Sequence, residues 1–361
     1  MKSTDISILD DVEKIRSFDP GNMYNRIFDL PEQVNEALKM ARGWNVSSGD
    51  FPDVRNIVLV GMGGSAIGGD LVRAYLQSDL LVPFSIIRGY GLPEYVDDET
   101  LVIASSYSGN TEETLAALDD ALQRKALIAV LSTGGMMADV AELNDLPMLT
   151  LPGGMQPRAA LAYSFVPLLL FFEKIGLVKG VSGDLTAAAD KLSARREKYI
   201  EDNPLISNPA KHIADSIKDR IAIVYGGPGF TGVVAQRWKG QICENGKNMA
   251  FANEFPECNH NELVGWTKSV IEPFGEKLVV FMLRDADDHP KIRKRMNIVK
   301  AIVENCGAEV HDVHSMGEKP LERMFSLIQL GDFASYYLAV LNEVDPTPVD
   351  VIERLKKALA E

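Results

Sequence analysis

The amino-acid sequence predicts an α/β protein built from two similar, doubly wound parallel-sheet domains, and three observations carry that prediction. "NIVLVGMGGSAIGGDLVRAYLQS" (56–78) is a short β-branched run, a glycine-rich turn and an amphipathic stretch of helical period. The same order recurs in "RIAIVYGGPGFTGVVAQRWKGQICENG" (220–246). Strands alternate with helices along most of the chain, which requires parallel crossover units. A length of 361 residues accommodates about two such domains.

Each element follows in turn. Residues 1–50 carry the helical segments "SILDDVEKIRSF" and "DLPEQVNEALKMARGW", with apolar positions three and four apart. After the first strand, turn and helix, "FSIIRGY" is a second strand. "TLVIASSYSGNTEETLAALDDALQRK" repeats the strand–loop–helix order, and "ALIAVLSTGG" and "PMLTLPGG" add two more strands. "LAYSFVPLLLFF" (161–172) is too short to span a bilayer and contains Pro167, so it predicts a buried helix. A polar helical stretch near 180–218 separates the halves. In the second half, "KLVVFMLRDADDHPKIRKRMNIVKAIVENCG" echoes residues 100–125 and "AEVHDVHSMG" supplies a strand. The helices "PLERMFSLIQLGDFASYYLAVLNEV" and "PVDVIERLKKALAE" close the chain. The expected layout is an N-terminal helical segment (1–50), a first domain (51–178), a helical linker (179–210), a second domain (211–340) and a C-terminal helix (341–361).

Composition narrows the function. Hydrophobic content of 46% with 24% charged residues describes a soluble globular chain. A formal charge of −14 argues against nucleic acid or an anionic membrane as partner. An anionic ligand would have to be held by local donors against that field. The three cysteines, Cys243, Cys258 and Cys306, show no paired spacing and read as free thiols. The acidic N-terminus lacks the apolar core of a signal peptide, and a cytoplasmic location is expected.

Ligands of open parallel sheets sit at the carboxyl ends of strands, where two loops stand out. "GMGGSAIGGD" (61–70) lacks the Gly-Lys-Ser/Thr of a nucleotide-triphosphate loop. Gly61, Gly63 and Ala66 satisfy the dinucleotide spacing, with Arg88 at the end of the next strand as an NADP-type enzyme would want; a tight turn for close helix packing explains the same glycines. "SSYSGNTEET" (105–114) favours a different ligand. Helix N-termini attract phosphate through free N–H groups and partial positive charge. Ser106, Ser108 and Thr111 can surround one small dianion there, with Gly63, Gly64 and Ser65 of the first loop alongside. Capping offers a competing account, with Asn110 as N-cap and Glu113 at N3, but capping requires one hydroxyl rather than several.

The combination "GMGGSAIGGD", "SYSGNTEET", "PRAALAYSF", "ENGKNMAFANEFPECNHNELVGW" and "DPTPVDVIERLKKAL" resembles the bifunctional phosphoglucose/phosphomannose isomerase family of archaea and bacteria, built on the sugar isomerase (SIS) fold. The resemblance runs from about residue 50 to the C-terminus. It departs at Ala162, where glycine is expected. It implies interconversion of glucose 6-phosphate and mannose 6-phosphate with fructose 6-phosphate through an enediolate, with no redox cofactor, in a homodimer.

That chemistry requires a base between C1 and C2, a cation for the developing oxyanion and an acid/base pair for ring opening. Glu244, at the end of an apolar helix, is the candidate base, and the resemblance places the catalytic glutamate there; Glu254, Glu257 and Glu262 compete. His260 stands in a polar turn, and the resemblance makes it a proton carrier reaching the site from a partner subunit. Arg158, behind Pro157, offers planar donors to the enediolate. The resemblance places Lys356 near the ring oxygen, with Lys357 adjacent, and makes Thr347 the hydroxyl that admits the mannose epimer. Without the resemblance, each of these residues reads equally as a solvated surface group. Metal ligation is not expected. His311 and His314 would face opposite sides of a strand, and Cys258, His260 and Glu262 lack a fourth ligand at zinc spacing. Three alternatives remain: an isomerase of another phosphosugar, a sugar-phosphate-binding regulator without turnover, and an NADP oxidoreductase.

Overall fold

The computed structural model describes residues 7–359. They form two compact units, one of residues 29–190 (the first unit) and one that joins the residues up to 28 with those from 191 onward (the second unit). Two short N-terminal helices, α1 (Val12–Ser17) and α2 (Met23–Phe28), belong to the second unit.

The first unit comprises α3 (Leu30–Gly43), β1 (Asn56–Val60), α4 (Gly63–Tyr75), β2 (Phe84–Ile87), β3 (Thr100–Ser106), α5 (Glu112–Gln123), β4 (Leu127–Ser132), α6 (Met136–Leu143), β5 (Met148–Thr150), α7 (Leu161–Lys174) and most of α8 (Val181–Arg196). Its five strands are all parallel, in the order β2-β1-β3-β4-β5. β3 is buried along its whole length, as a strand covered by helices on both faces must be. One core cluster packs Val58, Val60, Val102, Ala104 and Val130 against Ala117, Leu118 and Met137 from α5 and α6. The apolar 161–172 stretch is helical and buried as expected, and Pro167 sits inside α7 without ending it. Trp44 stacks on Phe171 at 4.9 Å, and Tyr163 of α7 donates to Glu36 of α3 at 2.6 Å.

The second unit continues with α9 (Pro209–Ile217), β6 (Ile221–Gly226), α10 (Phe230–Glu244), β7 (Ala250–Glu254), α11 (Lys268–Ile271), β8 (Leu278–Arg284), α12 (Pro290–Glu304), β9 (Glu309–His314), α13 (Pro320–Leu341) and α14 (Asp350–Leu359). Its sheet is again parallel, in the order β7-β6-β8-β9. β7 is a strand the sequence pattern does not announce, because this edge strand leaves Phe251 exposed instead of alternating cleanly. α13 is long and apolar enough to cross a bilayer by composition, but it lies buried against α9, α10 and α2. The buried ammonium of Lys211 fixes the N-terminal segment by donating to the carbonyls of Leu9, Glu201 and Asn203. Arg16 adds an ion pair to Glu201 at 2.7 Å.

Candidate active site

In the first unit the strand order reverses at β1, so β1 and β3 are neighbours whose crossovers leave in opposite directions. The crevice beyond their carboxyl ends is the place where such sheets bind ligands. Both expected loops open there. α4 begins at Gly63 and α5 at Glu112, and neither N-terminus is capped by a side chain. The capping box that offered a competing account, with Asn110 as N-cap and Glu113 at N3, is therefore not formed. Thr111 is the N-cap, and the Asn110 carboxamide turns away, accepting from the Met136 N–H at the start of α6 (3.0 Å). Two adjacent helix starts thus present their first amide N–H groups without side-chain acceptors.

The hydroxyls gather around these amides. Ser106 Oγ lies 2.9 Å from Thr111 Oγ1 and accepts from Gly109 N–H at 3.1 Å. Ser108 Oγ accepts from Asn110 N–H at 3.3 Å. Ser65, in the first turn of α4, is buried and accepts from Tyr107 N–H at 3.1 Å, which ties the two loops together. Gly64 is required by packing, since a Cβ there would come within 2.7 Å of the Pro157 carbonyl oxygen. That contact brings the short helical turn Pro157–Ala159, and with it buried Arg158, against the start of α4. Gly63, Gly64, Ser65, Ser106, Ser108, Thr111 and Arg158 are accordingly assembled within one unit. Ala162 is buried in α7. Arg88, considered for a nucleotide phosphate, instead donates to Asp70 on α4, and Arg73 shares the same carboxylate at 3.6 Å.

The second unit repeats the fold without repeating this chemistry. The loop after β8, which corresponds to the one after β3, carries Asp285, Asp287 and Asp288 in place of serines. Arg323 donates to Asp285 (2.9 Å) and to Asp287, and Ser315 also donates to Asp285. Acidic side chains with their own internal partners leave no anion site of the first unit's kind.

Glu244 is the last residue of α10 and is half-buried. Its surroundings are fixed by residues the sequence motif did not single out. Buried Asn245 donates to Ser335 of α13 at 2.9 Å. Lys247 donates to the Glu244 carbonyl and, at 3.1 Å, to the Pro346 carbonyl. Thr347 follows; its N–H donates to Asp345 (2.8 Å) and its side chain packs directly on Gly21. Lys356 and Lys357 lie on α14, where every residue described is exposed, including Val351 and Leu355.

His260 ends the short helical turn Glu257–His260 and is exposed. Its segment is held from both sides. Buried Trp266 donates to the Tyr225 hydroxyl at 3.1 Å, Tyr225 donates to Glu262, and Asn253 donates to the same carboxylate at 2.6 Å. Burial, and then the Glu262 carboxylate, push the Tyr225 hydroxyl well above its ordinary range. Glu262 is therefore committed to structure, and Glu257 accepts from Asn261 at 2.8 Å. Burial, followed by the charge of Glu262, pushes the Cys258 thiol up to about 12. That environment favours the protonated thiol, a poor metal ligand. Among the described residues no three His, Cys, Asp or Glu side chains gather as a metal site would require.

Comparisons with known proteins bear on the fold and the family. Residues 51–173 match the SIS domain family, and residues 206–359 match the bacterial phospho-glucose isomerase C-terminal SIS domain family. The chain is similar to a bifunctional phosphoglucose/phosphomannose isomerase of Caldicellulosiruptor bescii, with 45% identity over 94% of this chain and 99% of that one. It is similar to another protein of that name from Aquifex aeolicus, with 33% identity over 90% of this chain and 99% of that one. Among solved structures, a hypothetical protein of Thermus thermophilus shares the fold at a TM-score of 0.71, with 20% identity over 96% of this chain and 93% of that one.

Proposed function

The chain belongs to the bifunctional phosphoglucose/phosphomannose isomerase family, and on that premise we propose that it interconverts glucose 6-phosphate and mannose 6-phosphate with fructose 6-phosphate through a cis-enediolate. The observation that carries this reading is the pair of uncapped helix starts, ringed by Ser65, Ser106, Ser108 and Thr111, at the reversal point of the first unit's sheet. Backbone amides and neutral hydroxyls bind a phosphomonoester without a cluster of lysines, which suits a chain of charge −14.

In this reading the phosphate rests on Gly63, Gly64, Ser65, Ser106, Ser108 and Thr111. Glu244 moves the proton between C2 and C1, and Arg158 stabilises the enediolate oxygen. His260, supplied by the partner subunit of a homodimer, and Lys356 shuttle the proton for ring opening. Thr347 accommodates the C2 epimer. The protein acts in cytoplasmic carbohydrate metabolism, in glycolysis and gluconeogenesis, and uses neither metal nor organic cofactor. Its small-molecule partner is the hexose 6-phosphate substrate, with no role for nucleic acid or membrane.

The test is fructose 6-phosphate formation from glucose 6-phosphate and, separately, from mannose 6-phosphate, each with a chelator present. Turnover of both substrates is expected. Turnover of glucose 6-phosphate alone would remove the role given to Thr347. Absence of turnover with fructose 6-phosphate still bound would replace the isomerase by a sugar-phosphate-binding regulator.

A further inference from the structure

We propose that Tyr107 is the positioning residue that couples the phosphate-binding turn to Arg158; the proposal rests on the isomerase reading above and concerns the first unit alone. Tyr107 is the residue immediately after β3, between Ser106 and Ser108, and each of its polar groups is engaged by a different segment. Its N–H donates to Ser65 Oγ at 3.1 Å, on the first turn of α4. Its carbonyl accepts from Thr133 N–H at 3.1 Å, in the loop after β4. Its hydroxyl donates to the Pro152 carbonyl at 2.7 Å and accepts from Met155 N–H at 3.3 Å.

The last two bonds clasp "PGGM" (152–155), a glycine pair that has little conformational preference of its own and leads directly into Gln156, Pro157 and Arg158. On its far side the same segment rests on Gly64, where the Pro157 carbonyl leaves no room for a Cβ. The Arg158 backbone is therefore located by two contacts, one on the phosphate-binding helix start and one on the tyrosine inside the phosphate-binding turn. Moving either loop moves the guanidinium relative to the bound phosphate. A cation that stabilises an enediolate acts only when it is correctly placed, and a misplacement of about 1 Å can cost up to about a hundredfold in rate.

Tyr107→Phe tests the coupling, because it keeps the ring and both backbone hydrogen bonds and removes only the clasp. The expected result is a fall of about tenfold in kcat for fructose 6-phosphate isomerisation. KM and the inhibition constant of inorganic phosphate stay within about twofold, since the phosphate donors are untouched. The melting temperature shifts by no more than about 4 °C, as for loss of one or two part-exposed hydrogen bonds. In an Arg158→Lys background Tyr107→Phe lowers kcat no further, because the planar fork it positions is gone. Full kcat in Tyr107→Phe, equal losses of kcat and phosphate affinity, or additive losses in the double variant would each overturn the proposal. Absence of turnover in the wild-type protein overturns the isomerase reading and the positioning role together. Wild-type turnover beside an unimpaired Tyr107→Phe overturns the positioning role alone.

Discussion

Gly109→Ala and Gly63→Ala remove glycines of positive φ from the two loops of the proposed phosphate site, yet their consequences should separate cleanly. Gly109 has φ +71° and Gly63 has φ +49°, so an alanine at either position costs about 1–2 kcal/mol in backbone strain. A Cβ at Gly109 would lie 1.7 Å from the Gly134 carbonyl oxygen and 2.8 Å from Ser132 Oγ. The 132–135 loop cannot yield freely. It is held by Thr133 N–H to the Tyr107 carbonyl (3.1 Å) and by Ser132 Oγ to the Gly134 carbonyl (3.0 Å), with Met137 N–H to the Gly109 carbonyl (3.0 Å) just beyond. Overpacking of this kind costs about 1–3 kcal/mol, and each broken hydrogen bond about 1 kcal/mol more. Gly109→Ala should thus destabilise the first unit by about 3–5 kcal/mol. Around Gly63 a Cβ would meet nothing within 4 Å, so strain alone remains and the new methyl enters open space. Gly63→Ala should cost only about 1–2 kcal/mol in stability while raising KM for fructose 6-phosphate by about tenfold, as expected for obstruction of an anion site. Urea unfolding followed by circular dichroism reads the stabilities, the first unit's transition being the one that inorganic phosphate moves to higher urea. If Gly109→Ala were as mild as Gly63→Ala, the claimed contact between the two loops would be wrong. If Gly63→Ala left KM unchanged, the phosphate would not sit before α4.

Two further predictions concern the second unit. Glu244→Gln should leave KM within about threefold while lowering kcat by at least about a hundredfold, the loss expected of a proton-transfer group; steady-state kinetics in both directions would check this, and wild-type rates would move the base elsewhere. Asp312 on β9 would have its carboxyl raised by burial, but Lys300 at 2.7 Å and Arg284 outweigh this and hold it below the usual range. A depressed carboxylate pKa stabilises fully above the unfolded value of about 3.9 and loses that contribution as pH falls through the folded value. Asp312→Asn should therefore cost about 1–3 kcal/mol near neutrality by leaving buried Arg284 without its carboxylate. Urea melts at falling pH should show the gap between variant and wild type closing below the unfolded value, whereas a gap unchanged in strong acid would assign the loss to packing instead of charge.

The sequence by itself determined the class of fold and which loops stand at the strand ends of the first sheet. Both are local: β-branched runs, glycine turns and 3.6-residue periodicity fix parallel crossover units. "GMGGSAIGGD" and "SYSGNTEET" each mark a strand end followed by a helix start. Function came from the combination of motifs rather than from any one residue, since Lys356 or Thr347 alone is indistinguishable from a surface group. What only the tertiary structure decided depends on which segments meet. Asn110 caps the neighbouring helix instead of its own because the loop after β4 is hydrogen-bonded across it. Glu262 competed with Glu244 in the sequence, and is consumed by Tyr225 and Asn253, which come from β6 and β7. Residues 7–28 join a unit whose other residues begin at 191, because Lys211 and Glu201 satisfy their backbone and charge there. Tyr107 sits in the middle of the quoted motif, but its hydroxyl acquires a purpose only when "PGGM", some 45 residues onward, folds back onto it. Periodicity reports the face a residue turns to the core; long-range partners are set by loop closure between distant segments, which leaves no period in the sequence.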